Sequence, residues 1–316
     1  VLNPPCRPAP AQRTLRGMKA SPVALLSLLL FAAAPLIAAD TPRKLAFERG
    51  SSIFTANLNG TGAKKLANGA WPDISPDGTR VAFNTDEPSK NMPIRHIAVA
   101  DIATGKISVF KDMPSANCFG PVWSPDSAKL VFQIYADEDW HAALVNADGT
   151  GFRYVKKAEP KGHAFYPQCW AADGKSIFFQ DMDSVLQISL DGAVLKKWAI
   201  HDLVPDGDMS SSSRIAISPD GNTLLMDIEM NENVSRKGWV GPPPAIWAFD
   251  VTMQKAVRLT PQGFFAWQPR WISDTEYVFD SQSAKEKEPS IYRVPLMNLK
   301  DRKVILKNGR NATVSR

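Results

Sequence analysis

Short apolar triplets recur along the chain, each behind a polar turn. They read "VAF" at 81–83, "LVF" at 130–132, "IFF" at 177–179, "LLM" at 224–226 and "YVF" at 277–279. All are rich in strand-favouring residues and too short for helices. The turn aspartates ahead of them, Asp77, Asp126, Asp173, Asp220 and Asp274, are 49, 47, 47 and 54 residues apart. A near-constant internal period of this size is the mark of a repeat architecture. Upstream of each turn lies another apolar segment, as in "WPDISPDGTRVAF" at 71–83, so each unit opens with a hairpin. In the complete turns, Ser75–Gly78 and Ser218–Gly221, Pro sets φ, Asp bonds the backbone beyond it and Gly takes a left-handed conformation. These aspartates therefore read as turn formers rather than catalytic acids.

A second hairpin follows in every unit, among them "IAVADIATGKISVF", "LQISLDGAVLKKW" and "IWAFDVTMQKAVRL". Six units of four antiparallel strands result. The first lacks its leading strand, because Lys44–Phe47 begins at the second position, while "NGRNATVSR" is left over at the end. The pattern predicts an all-β, six-bladed β-propeller over residues 40–316, closed by Asn311–Ser315 as the inner strand of the first blade.

The segment ahead of the repeats changes the reading of charge. Met18-Lys19, the apolar run Val23–Ala39 and its small-residue exit predict a signal peptide over 18–39, cleaved after Ala39. Residues 1–17 read as an upstream extension, disordered and rich in proline. Cleavage would take four cations and no acid, so formal charge falls from +5 to about +1. The remaining Lys and Arg are scattered, which argues against nucleic acid. A cleaved leader predicts a periplasmic chain with no stable membrane insertion. Cys118 and Cys169 sit five and one residues before their repeat tryptophans. That offset corresponds to about 13 Å along a strand, too far for a bond, so two free thiols are expected.

The W-S-P-D-G-x-x-[ILV]-x-F repeat resembles the TolB-type propeller repeat (WD40-like, PD40) of bacterial envelope proteins. "AVRLTPQGFFAWQPRW" at Ala256–Trp271 is the nearest single match, joining an "RLT" end to a P-x-W start. The resemblance covers 40–316 and implies the propeller without the N-terminal α/β domain of TolB. It also implies a scaffold for an envelope protein or peptide.

Strand order places the stereotyped first–second and third–fourth turns on one face. The second–third and blade-to-blade connections share the other face, which therefore reads as the binding face. It holds "NTDEPSKNMPIRH", "QIYADEDWHA", "DIEMNENVSRKGWVGPPPA" and "HDLVPDGDMSSSSR". Trp71, Phe119, Phe165 with Tyr166, and Phe264, Phe265 and Trp267 fall in blade-to-blade connections. They either pack between blades or ring the channel mouth. Trp140 and Trp239 read as surface anchors in outer loops, the latter presented by Gly241–Pro244. No G-x-S-x-G elbow is present, and the four histidines come from different units with no metal spacing. Asp137–Asp139 and Asp206–Asp208 read as solvated loop carboxylates. The chain reads as a monomeric binding scaffold rather than an enzyme, without a cofactor. Its candidate binding residues are Trp71, Phe119, Trp140, His163, Tyr166, Trp239, Phe264 and Trp267. The alternative is a glycan-binding or polysaccharide-lyase-like propeller using the channel mouth near His163, Tyr166 and Trp267. Certain lyases that act on oligogalacturonides with a metal resemble this repeat.

Overall fold

The computed structural model describes residues 42–316 except 91, 235, 237 and 238. The leader, its cleavage site, the upstream extension and Cys6 lie outside the described residues. Six antiparallel sheets form the blades, five of four strands and one, blade 5, whose inner position is shared by two short strands. Blade 2 shows the plan: Ala70–Ile74 innermost, then Arg80–Glu87, Ile94–Asp101 and Ile107–Val109. Blade 1 is completed from the far end of the chain, Arg310–Val314 pairing with Lys44–Arg49. The ring closes as the repeat pattern predicts, one residue earlier than Asn311. Among the described residues no helix is long and apolar enough to cross a membrane.

The hydrophobic core is divided. Six clusters of buried side chains lie one at each junction between neighbouring blades. At the junction of blades 3 and 4, for example, Val131 and Leu144 meet Ile177 and Phe179. The apolar triplets supply this filling because alternate residues of a blade's second strand face opposite neighbours. Indole N–H groups tie the inner strands together. Trp123 donates to the Asp73 carbonyl at 3.0 Å, Trp170 to Val122 at 3.2 Å and Trp271 to Ala216 at 2.9 Å.

The repeated turn aspartates work as turn formers. Asp77, Asp126, Asp173 and Asp220 each accept the backbone N–H two residues on. Ser127, standing where other copies have Gly, takes a positive φ of 57° itself. The shortened fifth copy departs: Asp274 accepts the backbone N–H of Asp220 in the neighbouring blade. Cys118 and Cys169 are both free, as the offset predicted. Burial pushes both thiols up to about 12, so neither is a ready thiolate.

Candidate functional site

A repeated backbone irregularity shapes the channel. The pairing of inner with second strand slips at the same place in blades 2, 3, 4 and 6 and in the closing blade 1. In four of these bulges one residue has a positive φ: Trp71, Gly120, Gln268 and Asn311. A bulge of this kind leaves an N–H outside the ladder, and a buried N–H must find an acceptor. The acceptor comes from the preceding blade. Trp71 donates to Glu48, Gly120 to Asn84 at 2.9 Å, Gln268 to Asp227 at 2.7 Å and Asn311 to Asp280 at 2.5 Å.

These acceptors occupy one structural position, the residue just after each apolar triplet. Around the ring it reads Glu48, Asn84, Gln133, Gln180, Asp227, Asp280, and every one is buried. Blades 2, 3 and 4 carry amides there, whereas blades 5, 6 and 1 carry acids. In blade 4 the matching bulge position is Pro167, which has no N–H, and Gln133 Nε2 is buried without a partner among the described residues. Blade 5 is irregular as well. Its inner strand is split into Gly207–Asp208 and Ile215–Ile217 by an excursion through Ser210–Arg214.

Charged groups line the channel, most of them from blades 5 and 6, with Asp73 from blade 2. Burial raises the Asp73 carboxyl to about 6, against the Trp123 backbone N–H and the Arg270 and Arg316 cations. Burial likewise lifts Asp227 to about 6, opposed by its two backbone donors, from Gln268 and Arg214. The fully buried Asp280 lies well above the carboxylate range, mainly through desolvation. Arg214, also buried, falls to about 10 through desolvation and the repulsion of Arg270.

On the irregular-loop face the channel opens into a cavity of about 380 Å³. Trp71, Trp239 and Trp267 supply its aromatic walls; Glu48, Asp227, Glu229, Arg310, Ser212 and Ser213 supply polar ones. The loop between the second and third strands of blade 5 forms one side. It is pinned onto blade 6 by Arg236, whose guanidinium lies 3.8 Å from the Phe265 ring centroid and bonds the Gln282 carbonyl. Trp239 then packs 5.1 Å from Phe265 and 5.3 Å from Trp267, and its indole N–H donates to Pro242 at 3.2 Å. Beside it, Val240 stands 97% exposed.

Of the candidate residues, the structure brings Trp71, Trp239 and Trp267 to this cavity. Phe119 packs edge-on against Trp71 at 5.2 Å and continues the wall through Arg95 to Trp140. Trp140 is not in an outer loop. Asp137 and Glu138 form a tight two-residue turn with positive φ, and Trp140 is a strand residue packed on Tyr135 at 5.4 Å. "QIYADEDWHA" is therefore a hairpin, not a long loop. Asp139 is not a solvated carboxylate either: it is buried and accepts the N–H groups of Trp140 and Gly162. Phe264 turns into the junction of blades 5 and 6, packing 6.1 Å from Phe279. His163 pairs with the buried Asp181 at 3.2 Å and packs against Phe165. Neither it nor the half-buried Tyr166 lines the mouth cavity. Among the described residues no three His, Cys, Asp or Glu side chains are grouped to hold a metal ion.

The polar ring escaped the sequence reading, although its signal is present. Each apolar triplet is followed at once by Glu, Asn, Gln, Gln, Asp or Asp. Glu229, two residues beyond Asp227 and on the same side of the strand, was missed for the same reason.

No family model matches the chain. A 110-residue stretch is 33% identical to a protein TolB homolog of Chlorobaculum tepidum, covering 33% of this chain and 24% of that one. The match thus spans about a quarter of that relative's length. The crystal structure of TolB from Acinetobacter baumannii is similar with a TM-score of 0.65 at 14% identity, over 87% of this chain and 66% of that one. An oligogalacturonate lyase from Vibrio parahaemolyticus is similar with a TM-score of 0.51 at 15% identity, over 79% of this chain and 73% of that one. In fold around the ring, and in sequence over 110 residues, the chain is similar to the TolB-type six-bladed β-propellers.

Proposed function

We propose that this propeller is a binding scaffold of the bacterial envelope that engages a protein or peptide through its irregular-loop face. The observation that carries this reading is the cavity of about 380 Å³ walled by Trp71, Trp239 and Trp267. Its size suits one or two side chains of a partner, and tryptophan is enriched among the few residues that carry most of an interface's binding energy. Val240 and the proline run beside it offer a stiff apolar rim. The likeness to TolB supports a periplasmic setting and protein partners as a class.

A photo-crosslinking residue at Val240 tests the reading in intact cells. We expect a covalent adduct with an envelope protein, and its loss when Trp267→Ala is added. An adduct unchanged by Trp267→Ala, or none at all from a chain released by osmotic shock, overturns it. Trp239→Ala is expected to lower affinity for the captured partner by about tenfold to a hundredfold, at the level of an aromatic hot spot. Calorimetric titration reads that loss.

A further inference from the structure

We infer that the mouth cavity takes a cationic side chain of its peptide partner, arginine foremost, laid against the Trp239 and Trp267 wall and paired with Glu229. This rests on the reading of the cavity as a peptide-binding site and names the chemistry of its occupant.

Guanidinium on aromatic ring is the contact this face uses repeatedly. Arg95 lies 4.9 Å from the Phe119 centroid, Arg214 lies 4.4 Å from Trp71, and Arg236 lies 3.8 Å from Phe265. Trp239 and Trp267 lie at the same mouth, yet neither has a cation over its ring among the described residues. Their rings touch at a tilt of 47° with centroids 5.3 Å apart, so the two indoles form one continuous aromatic wall of the cavity. The negative face of an indole is the best side-chain partner for a cation.

Charge at the wall points the same way. The Arg310 guanidinium is engaged by Glu48 at 3.0 Å. Asp227 is engaged by the Gln268 and Arg214 N–H groups. Glu48 also accepts the Trp71 N–H and the Asn311 side-chain amide. Glu229 is left: a half-buried carboxylate on the cavity wall with no hydrogen bond or ion pair among the described residues. An entering cation gains the indole faces and a carboxylate in one place. A neutral sugar would offer that carboxylate hydroxyl donors but no opposite charge, and an anion would be repelled by it.

Two capped tripeptides, acetyl-Gly-Arg-Gly-amide and its citrulline counterpart, separate charge from shape. Titrated into the full chain and followed by tryptophan fluorescence and indole N–H shifts, the arginine peptide is expected to saturate. It should bind about tenfold more tightly than the citrulline peptide. Glu229→Gln should remove most of that preference while leaving the melting temperature unchanged. Equal binding of the two peptides, binding of neither, or an unaltered preference in Glu229→Gln overturns the inference. The two readings fail separately. A Val240 adduct that depends on Trp267 but ignores Glu229→Gln keeps the partner-binding reading and discards the cation. Loss of the adduct's dependence on Trp267, with the arginine preference intact, does the reverse.

Discussion

Blades 2 to 4 and blades 5, 6 and 1 solve the same structural problem with different chemistry. At the position after the apolar triplet the first group carries Asn84, Gln133 and Gln180, the second Asp227, Asp280 and Glu48. All six are buried, and an amide is the cheaper group to bury because it carries no charge. Asn84 shows that an amide suffices. Its Oδ1 accepts the Gly120 N–H at 2.9 Å while its Nδ2 donates to the Cys118 carbonyl at 2.7 Å. Holding a neighbour's bulge therefore does not require an acid. The acids lie on the side where the inner strand is split, where Arg214 and Arg270 enter the channel, and where the tryptophan cavity opens. The contrast teaches that holding a neighbouring blade's bulge needs only an amide, and that the acid half adds buried charge beside the tryptophan cavity.

The largest test deletes an acid. Asp227→Ala leaves the buried N–H groups of Arg214 and Gln268 without acceptors and removes a counter-charge of Arg214. We expect a loss of ~2–5 kcal/mol in urea unfolding, since each orphaned buried donor costs ~1–3 kcal/mol. The reciprocal exchange probes the other half. Asn84→Asp turns an amide donor into a carboxylate oxygen facing the Cys118 carbonyl, and should also destabilise. A mild effect of both would erase the distinction between halves.

Next comes pH. Asp73 and Asp227, raised by burial to about 6, bind protons more readily folded than unfolded. Between the ordinary carboxylate value near 4 and about 6, the native state holds the extra protons, so stability falls as pH rises through that window. Acidifying from pH 7.5 to 5 is therefore expected to raise the melting temperature. The turn aspartates act in the opposite sense and lower down. The Ser124 and Ser218 hydroxyls hold Asp126 and Asp220 below the usual range, so their contribution disappears only as pH falls below about 4. Asp73→Asn keeps an acceptor for the Trp123 N–H and removes the charge. It should be more stable than the parent at pH 7.5 by ~1–3 kcal/mol, because each tenfold difference in proton affinity between folded and unfolded chain is worth ~1.4 kcal/mol. The pH profile should flatten as well. Thermal melts of both proteins from pH 4.5 to 8 decide the matter.

The architecture was legible because a propeller repeats its grammar. The "SPDG" turns and apolar triplets recur at a near-fixed period, and the surplus at Asn311–Ser315 matches a deficit at Lys44. The mouth was only partly legible. Trp71, Trp239 and Trp267 carry visible aromatic signals, but their meeting depends on Arg236 pinning a long loop onto Phe265, a contact between residues far apart in sequence. Trp140 misled for a local reason. "ADED" looks like a polar loop, yet Asp137 and Glu138 both enter the left-handed region and make the shortest kind of hairpin. The polar ring was written in the sequence but easily passed over, since a polar residue ending a strand normally marks solvent. Burial reverses that meaning at a bulge, where the side chain serves the backbone of the next blade.

The smallest expected effect lies in the amide half. Gln133 faces blade 4, where the bulge position is Pro167 and no N–H exists to be accepted. Its Nε2 is buried with no partner among the described residues, so the side chain bears a desolvation cost without the bond that offsets it in Asn84. Gln133→Met keeps length and volume while removing the amide, and methionine adapts to irregular spaces. The change is expected to be neutral or to stabilise by up to ~1 kcal/mol. The same exchange at Gln180 should cost stability, because Gln180 donates to the Ser210 carbonyl at 2.9 Å and accepts the Met182 N–H at 2.7 Å. Paired urea titrations of Gln133→Met and Gln180→Met therefore ask whether the ring acts through its hydrogen bonds or merely by filling space. Equal losses from both would mean that shape alone matters. Opposite signs would show that each ring member is worth what the surrounding backbone gives it to hold.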